Sequence, residues 1–157
     1  MLTVRKAVTS DIPRINALLK QILLLHAEQR PDIFKSDREK YTFQEIDALL
    51  KDPDRPCLVA DENGICVGYA LCQLKHPVEG TSLVPRFTVY LDDLCVDENK
   101  RSKSIGKLLT DAVIKLAKDI GADAVELNVW ESNEGAKRFY ERYGFTTQRR
   151  HMELSLK

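Results

Sequence analysis

Several features that would assign this chain of 157 residues to a specialised class are missing from it. No stretch approaches the run of about 20 apolar residues that a membrane-spanning helix needs, and the first residues, MLTVRKAVTSD, lack the apolar centre of a secretory signal peptide. The 24 basic and 24 acidic side chains cancel, so bulk attraction to nucleic acid or to a membrane surface is not predicted. The composition predicts a cytoplasmic globular protein with no nucleic-acid or membrane partner.

Metal-binding and disulfide patterns are missing as well. The chain has four cysteines in apolar segments, and none of them forms a CxxC pair: Cys57, Cys66, Cys72 and Cys95. Zinc sites and disulfide frameworks require closer, patterned spacing. We therefore expect buried thiols and no metal ion.

The chain also lacks GxxxxGK[ST] and GxGxxG, so neither a nucleoside-triphosphate loop nor a dinucleotide fingerprint is present. No repeat of 20 to 50 residues is visible. The length suits one domain, which we place over residues 1–157.

Hydrophobic periodicity predicts hairpins in the first half of the chain. Residues 2–8 alternate as a strand does, and helical patterns follow around Pro13 and from Tyr41 to Leu50. The segment CLVADENGICVGYALCQL gives two strands around Asn63-Gly64, a dipeptide suited to a tight hairpin turn. RFTVYLDDLCV is a third long strand pattern.

The second half alternates strands and helices. A helix follows Ser104, AVELNVW reads as a strand, and a helix opens at Asn133 and ends at Gly144. FTTQRRHMELSLK reads as one bent strand or two short strands. The order β α α β β β α β α β β predicts an α/β (α+β) fold, with a mixed, mostly antiparallel sheet of six or seven strands and about four helices.

Four cations cluster at the start of the helix that follows Ser104. They are Lys100, Arg101, Lys103 and Lys107. Unpaired N–H groups and the positive end of the dipole make a helix N-terminus suited to phosphate. A solvated basic turn explains the same pattern equally well, so both interpretations stay open at this point.

Two strings in this region resemble motifs of the GNAT superfamily of acyl-CoA-dependent N-acetyltransferases. RSKSIGKLL resembles its turn R/Q-x-x-G-x-G/A, and NEGAKRFYERYGF resembles its second motif N-x-x-A-x-x-F-Y-x-x-x-G-F. The resemblance implies the GNAT fold and acetyl-CoA as cosubstrate. One position departs from the pattern, because Ser104 replaces the first glycine of the turn. A positive φ angle at Ser104 would cost on the order of 1 kcal/mol relative to Gly.

The resemblance also implies which residues contact CoA. The turn would hold the pyrophosphate, the strand before it would pair with the pantetheine arm, and a splay around residues 127–130 would admit that arm. The implied cofactor-binding residues are Leu94, Cys95, Val96, Arg101, Ser102, Lys103, Ser104, Ile105, Gly106, Lys107, Asn133, Lys137 and Tyr140.

Two of these residues have a structural interpretation beside the functional one. The resemblance makes Tyr140 the hydrogen-bond donor to the departing CoA sulfur, whereas periodicity alone places it on the apolar face of its helix. Asn133 would bond the cofactor, and it is also a good helix N-cap.

An acceptor ammonium must lose a proton before it can attack, so the reaction needs a base. Asp92 and Asp93 are adjacent in an otherwise apolar strand, and we expect one of them to face inward as that base. They could instead hold a cationic substrate or lie at a bulge. Cys95 as a nucleophile is disfavoured because no His lies near it in sequence.

The acceptor is predicted to be a small-molecule or peptide amine, selected by the first two helices and the loop after Leu74. Six residues there are candidates for lining its pocket: His26, Glu28, Arg30, Asp32, Tyr41 and Phe43. The first four are also explained as the polar end of the first helix. Trp130 is open to three interpretations, as core, cleft wall or contact in a homodimer. The alternative function is a non-catalytic acyl-CoA-binding module of the same fold.

Overall fold

The computed structural model describes residues 1–157, apart from the side chains of residues 101–103. The chain divides into two compact units, Met1–Leu127 and Asn128–Lys157, which are described separately. One domain over residues 1–157 stays a prediction.

The first unit contains a single five-stranded sheet in the order β1-β2-β3-β4-β5. The strands are β1 (Leu2–Lys6), β2 (Cys57–Glu62), β3 (Ile65–Lys75), β4 (Thr88–Val96) and β5 (Ala124–Leu127). Neighbouring strands are antiparallel except β4 and β5, which are parallel. The predicted β2–β3 turn is confirmed, with φ of 54° at Asn63 and 87° at Gly64.

Three α-helices belong to this unit: α1 (Ile12–Gln29), α2 (Phe43–Lys51) and α3 (Ile105–Asp119). Short 3-10 turns, Thr9–Asp11 and Glu98–Lys103, precede α1 and α3. Among the described residues, no helix is long and apolar enough to cross a membrane.

The helices lie on opposite faces of the sheet. Tyr69 packs in a core with α1 and α2 that includes Ile15 and Ile46, and its neighbour Gly68 faces α3. A Cβ atom at Gly68 would lie 3.1 Å from the Cys95 carbonyl oxygen and 3.2 Å from Ile105 Cγ2. The missing side chain therefore lets the first turns of α3 pack closely against β3 at Gly68.

An irregularity interrupts β4 where the two acidic residues lie. Leu71 pairs with Asp93 while the next residue of β3, Cys72, pairs with Leu91, so Asp92 is an extra residue in the ladder. This is a β-bulge, which turns side chains away from strict alternation. The structure therefore contains the bulge considered for the two carboxylates, and their chemical role stays a prediction.

The second unit contains α4 (Glu134–Tyr143). Both predicted ends are confirmed. The Asn133 side chain accepts a hydrogen bond from the Ala136 N–H at 3.1 Å, and Gly144 takes the left-handed conformation with φ of 96°. These are the local signals of an N-cap and a C-terminal stop.

The prediction of six or seven strands is wrong, because the described chain contains five. AVELNVW forms a strand only as far as Leu127, and residues 145–157 contain none. Strand backbone requires a partner for its N–H and C=O groups, and the second unit holds no other strand. The alternating apolar residues at the C-terminus are Met152, Leu154 and Leu156, each at least 84% exposed, so alternation there does not reflect a buried face.

Candidate acyl-CoA site

The turn between β4 and α3 ends in a left-handed residue. Ser104 has φ of 59° and ψ of 28°, and it is the N-cap of α3. Its side chain makes no capping hydrogen bond with the described residues. The N–H groups of a helix's first turn have no partner within the helix, so the N-terminus of α3 at Ile105 presents donors and a positive dipole end. The positive φ considered for this serine is confirmed.

The cations of the turn are partly compensated by carboxylates. Lys100 Nζ lies 2.6 Å from Glu62 Oε2, and Lys107 Nζ lies 2.8 Å from Asp111 Oδ2. The side chains of three other predicted cofactor residues lie outside the described part of the chain: Arg101, Ser102 and Lys103. The Lys107–Asp111 pair is exposed, and exposed ion pairs are weak, so a phosphate could compete for Lys107.

The strand that precedes the turn is tied to α1 by one amide. Gln21 Nε2 donates to the Val96 carbonyl oxygen at 2.8 Å, and Gln21 Oε1 accepts from the Glu98 N–H at 3.2 Å. The parallel ladder with β5 covers only Thr88–Leu91, so β5 does not extend alongside residues 94–96. This leaves that stretch of β4 beyond the end of its neighbour, as a strand that receives an extended ligand would need.

Cys95 is turned into the core. Cys95 is 3% exposed, and its thiol donates to the Leu18 carbonyl oxygen with a sulfur–oxygen distance of 3.3 Å. All four cysteines are buried thiols outside disulfides, as predicted. A thiol packed against α1 in this way is poorly placed to act as a nucleophile.

Asp93 is the more buried of the two carboxylates at the bulge. Its side chain is 11% exposed, and its Oδ2 lies 2.5 Å from Lys40 Nζ. Burial raises the pKa of Asp93, and the charge and hydrogen bond of Lys40 offset this only in part. Burial alone would lower the pKa of Lys40, but Asp93 outweighs it and raises that pKa. Asp93 is therefore a stronger base than an ordinary carboxylate, and it is paired with the ammonium of Lys40.

Asp92 is held by a different cation. Arg55 Nη2 donates to Asp92 Oδ2 at 2.8 Å, and Arg55 Nε donates to the Cys72 carbonyl oxygen at 3.1 Å. The Arg55 side chain is 16% exposed. Two bonds from one planar guanidinium fix this pair firmly. The bulge therefore presents two carboxylates, one held by a half-buried arginine and one by a lysine.

Sequence reasoning missed Lys40 and Arg55. Lys40 precedes α2 in a polar segment 53 positions from Asp93, and Arg55 lies between two prolines 37 positions from Asp92. No sequence pattern predicts a contact between residues that are separated by so many positions. It also missed Tyr69, whose buried hydroxyl makes no hydrogen bond within the described structure and whose register partner is Cys95.

The residues predicted to line an acceptor pocket lie in several different surroundings. The His26 ring stacks on Phe34 with centroids 5.0 Å apart, and Arg30 pairs with Asp32 at 2.7 Å. Glu28 lines a surface concavity of about 490 Å³, whereas Tyr41 lines a small apolar cavity between helix and sheet. Phe43 is 50% exposed.

In the second unit, the polar candidates already have partners in α4 and the turn before it. The oxygen of Asn133 caps the helix, as its structural interpretation requires. Lys137 Nζ lies 2.9 Å from Glu131 Oε1 and 3.4 Å from Glu134 Oε1. A ligand at Lys137 would share this ammonium with two carboxylates.

Tyr140 belongs to an aromatic cluster of the same unit. Its ring meets Phe139 edge to face at 5.1 Å and Phe145 at 5.6 Å. Burial raises the pKa of the Tyr140 phenol to about 12. A phenol of that pKa keeps its proton and serves as a hydrogen-bond donor.

These features agree with a comparison of the whole sequence with known families. The sequence profile of the acetyltransferase (GNAT) family matches residues 19–145, which is most of the chain. The chain belongs to the GNAT family. Its membership confirms the resemblance carried by the turn at Ser104 and by the string that begins at Asn133.

Solved structures and sequence relatives extend this assignment. A tetramutant of the BH1408 protein from Bacillus halodurans is 34% identical to this GNAT chain, with a TM-score of 0.93 over 98% of this chain and 99% of that one. The L-ornithine N5-acetyltransferase NATA1 of Arabidopsis thaliana is 35% identical over 101 residues, which are 63% of this chain but only 42% of that enzyme. The aminoglycoside N-acetyltransferase AAC(6')-Iy in complex with CoA has a TM-score of 0.70 at 16% identity over 99% of this chain and 94% of that one, a likeness of fold.

Substitution of Ser104 by Gly is expected to raise the free energy of unfolding of this GNAT chain. Glycine removes a left-handed penalty of about 1–2 kcal/mol, and its greater freedom in the unfolded chain returns about 0.4–1 kcal/mol of that gain. Urea unfolding of Ser104→Gly measures the difference, with Ser36→Gly as the control at a serine without positive φ. Equal losses of stability in both variants would contradict the assigned strain.

Proposed function

We propose that the protein is an N-acetyltransferase that moves an acetyl group from acetyl-CoA to a primary amine by direct transfer. The observation that carries the proposal is the arrangement along β4. A largely buried carboxylate, Asp93, is followed directly by a strand segment beyond the end of β5 and then by the left-handed entry to α3 at Ser104. A base, a place for an extended arm and an anion site thus follow one another along the chain.

The residues present fit CoA as a ligand. The backbone of residues 101–107 would hold the pyrophosphate at the N-terminus of α3, and residues 94–96 would pair with the pantetheine arm. The side chains of Lys107 and, in the second unit, of Asn133 and Lys137 would add polar contacts. When bound, acetyl-CoA supplies a thioester whose acyl carbon accepts the amine.

Asp93 would remove the proton from the acceptor ammonium, directly or through one water. Burial supports this role because it raises the pKa of Asp93 toward that of an effective base. Asp92, fixed on Arg55, would place a second carboxylate beside Asp93 and favour a cationic acceptor. A backbone N–H at Cys95 or Val96 would polarise the thioester carbonyl.

Tyr140 would donate a hydrogen bond to the sulfur that leaves. Its pKa of about 12 lies well above the value of about 8.5 for a thiol, so full proton transfer would be uphill. We therefore assign Tyr140 as a donor that stabilises the thiolate rather than as an acid that protonates it. This assignment rests on the family motif and on the chemistry of the phenol.

The relatives support this class of reaction. One curated relative is named for acetylation of the N5 amine of L-ornithine, and one protein of the same fold was solved with CoA. The first favours a small primary amine as the acceptor, and the second indicates that this architecture accommodates CoA. The chain spans less than half of that curated relative, so the particular acceptor is not carried over.

Thermal unfolding with and without ligand tests the cofactor part of the proposal. Acetyl-CoA at about 100 times its dissociation constant should stabilise the fold by about 2.7 kcal/mol, and CoA should act similarly. ADP, which lacks the pantetheine arm, serves as the control and should stabilise less. No shift with either CoA species would overturn both the enzyme and the non-catalytic acyl-CoA-binding module.

A further inference from the structure

One primary amine of the protein itself already lies on the proposed base. Lys40 belongs to the segment between α1 and α2, and its Nζ lies 2.5 Å from Asp93 Oδ2. The Lys40 side chain is 37% exposed, whereas the carboxylate it contacts is 11% exposed. The ammonium also lies 5.5 Å from the centroid of the Tyr41 ring. Lys40 therefore reaches from the surface to a buried carboxylate.

This position is the one that an acceptor amine must take. If Asp93 removes the acceptor's proton, the acceptor nitrogen has to come within hydrogen-bond distance of that carboxylate or within one water of it. Lys40 meets this requirement, and it carries the same functional group as the acceptor. We propose that Lys40 is an acceptor in its own right, so that the chain acetylates its own Lys40 Nζ. The proposal rests on the function proposed above.

Arg55, the other cation at the bulge, cannot act as the acetyl acceptor. A guanidinium acts as a hydrogen-bond donor and not as a nucleophile, and that of Arg55 is held by Asp92 and by the Cys72 carbonyl. A lysine ammonium is a single point charge on a flexible stem, and it becomes a nucleophile once it loses one proton. The bulge thus holds one fixed cation and one that can react.

The transfer balances without a further reagent. Lys40 gives one proton to Asp93 and its nitrogen forms a bond to the acetyl carbon of acetyl-CoA, while the carbon–sulfur bond breaks. The second proton lost by the nitrogen and the electron pair on sulfur leave as the CoA thiol. The product is a neutral N-acetyl-lysine at position 40.

Acetylation would change the electrostatics of the bulge. Lys40 loses its charge, so its ion pair with Asp93 is broken. The Asp93 carboxylate then becomes accessible to an ammonium from solution. Asp92 stays paired with Arg55, so the change is confined to one carboxylate. Self-acetylation would therefore convert the site from one occupied by the protein's own lysine to one open to an external amine.

The chain contains a matched control for this reaction. Lys115 Nζ lies 2.5 Å from Asp119 Oδ2 in α3, the same distance as in the Lys40 pair, but both side chains are more than half exposed. Any chemical acetylation by acetyl-CoA in solution reaches Lys115 as well. A higher rate of acetylation at Lys40 than at Lys115 is therefore due to the surroundings of Lys40 and not to the presence of an ion pair.

The test uses the full chain incubated with isotope-labelled acetyl-CoA and followed by peptide mass spectrometry. We expect the label at Lys40 to form about 10²-fold faster than at Lys115, a typical contribution of one general base. The rate constant should not depend on protein concentration, because the reaction is intramolecular. Asp93→Asn should reduce labelling of Lys40 to the Lys115 level, and Lys115→Arg should leave Lys40 labelling unchanged.

The outcomes separate this inference from the proposed function. Equal labelling of Lys40 and Lys115 in the folded wild-type chain overturns the inference, even if Asp93→Asn does not fold. If that result accompanies thiol release with added amines, the proposed function stands without it. If acetyl-CoA neither labels Lys40, nor shifts thermal unfolding, nor releases thiol with any amine, both are overturned.

Discussion

Asp93→Asn is expected to lower kcat/KM for the acceptor amine by about 10²- to 10⁴-fold, the range for loss of a general base. Asparagine keeps the size of the side chain but cannot accept a proton at neutral pH. Acetyl-CoA affinity, measured by the thermal shift, should stay at the wild-type value. The measurement is thiol release at saturating acetyl-CoA over a range of amine concentrations.

The control for this variant is Asp47→Asn. Asp47 also pairs with a lysine, Lys51, at 2.8 Å, but on the exposed surface of α2. It should leave the rate unchanged, since an exposed pair of this kind is worth little. A rate for Asp93→Asn close to that of the Asp47 variant would show that Asp93 is not the base.

The pH profile provides an internal check on the same residue. Asp93 must be ionised to accept a proton, so the rate should fall as pH decreases through its pKa. Burial raises that pKa above the ordinary carboxyl value of 3.8, so the acid limb should lie at higher pH than for an exposed carboxylate. The limb should disappear in Asp93→Asn, and an unchanged limb in that variant would assign it to another group.

Tyr140→Phe is expected to lower kcat by about 10- to 100-fold, because a hydrogen bond to a charged atom contributes about 1.5–3 kcal/mol. CoA affinity should change much less, since the bond forms mainly as negative charge develops on sulfur. Single-turnover thiol release and a CoA titration measure the two effects separately. The ring contacts with Phe139 and Phe145 remain in this variant, so the aromatic cluster is preserved.

Tyr143→Phe is the matched control for Tyr140→Phe. Tyr143 lies in the same helix and also contacts Phe139, with ring centroids 5.3 Å apart. Its loss of a hydroxyl should have little effect on kcat. Equal losses of CoA binding and rate in Tyr140→Phe would indicate that Tyr140 has a structural role only.

Local chemistry explains which features were predictable from the sequence. The turn at Asn63-Gly64, the N-cap Asn133 and the stop at Gly144 depend on the conformational preferences of single residues and their neighbours. The left-handed Ser104 was anticipated from its place in a glycine motif, and its φ of 59° confirms it. Features that depend on a few adjacent residues can be predicted from a sequence.

Long-range features were not predictable in the same way. A bulge was one of the interpretations left open for Asp92 and Asp93, and the register of β3 against β4 is what places it at Asp92. Lys40 and Arg55 reach the bulge from segments far away in the chain, so their role in the electrostatics of Asp93 and Asp92 depends on the fold. The sequence therefore identified the carboxylates but not the cations on them.

The strand count illustrates a different limit. Alternation in residues 145–157 suggested strands, but alternation shows only that a segment is compatible with a strand. Whether it becomes one depends on a hydrogen-bonding partner, which the second unit does not provide. The predicted strand AVELNVW likewise extends only over Ala124–Leu127.

The most direct test of the central claim measures CoA thiol and acetylated amine together in one reaction. The panel should contain L-ornithine, a polyamine, an aminoglycoside and a peptide with a free N-terminus. We predict that at least one amine gives saturable thiol release, with one acetyl amide formed for each thiol. A clear thermal shift with acetyl-CoA, combined with thiol release that no amine accelerates, would contradict it and indicate an acyl-CoA-binding module without turnover.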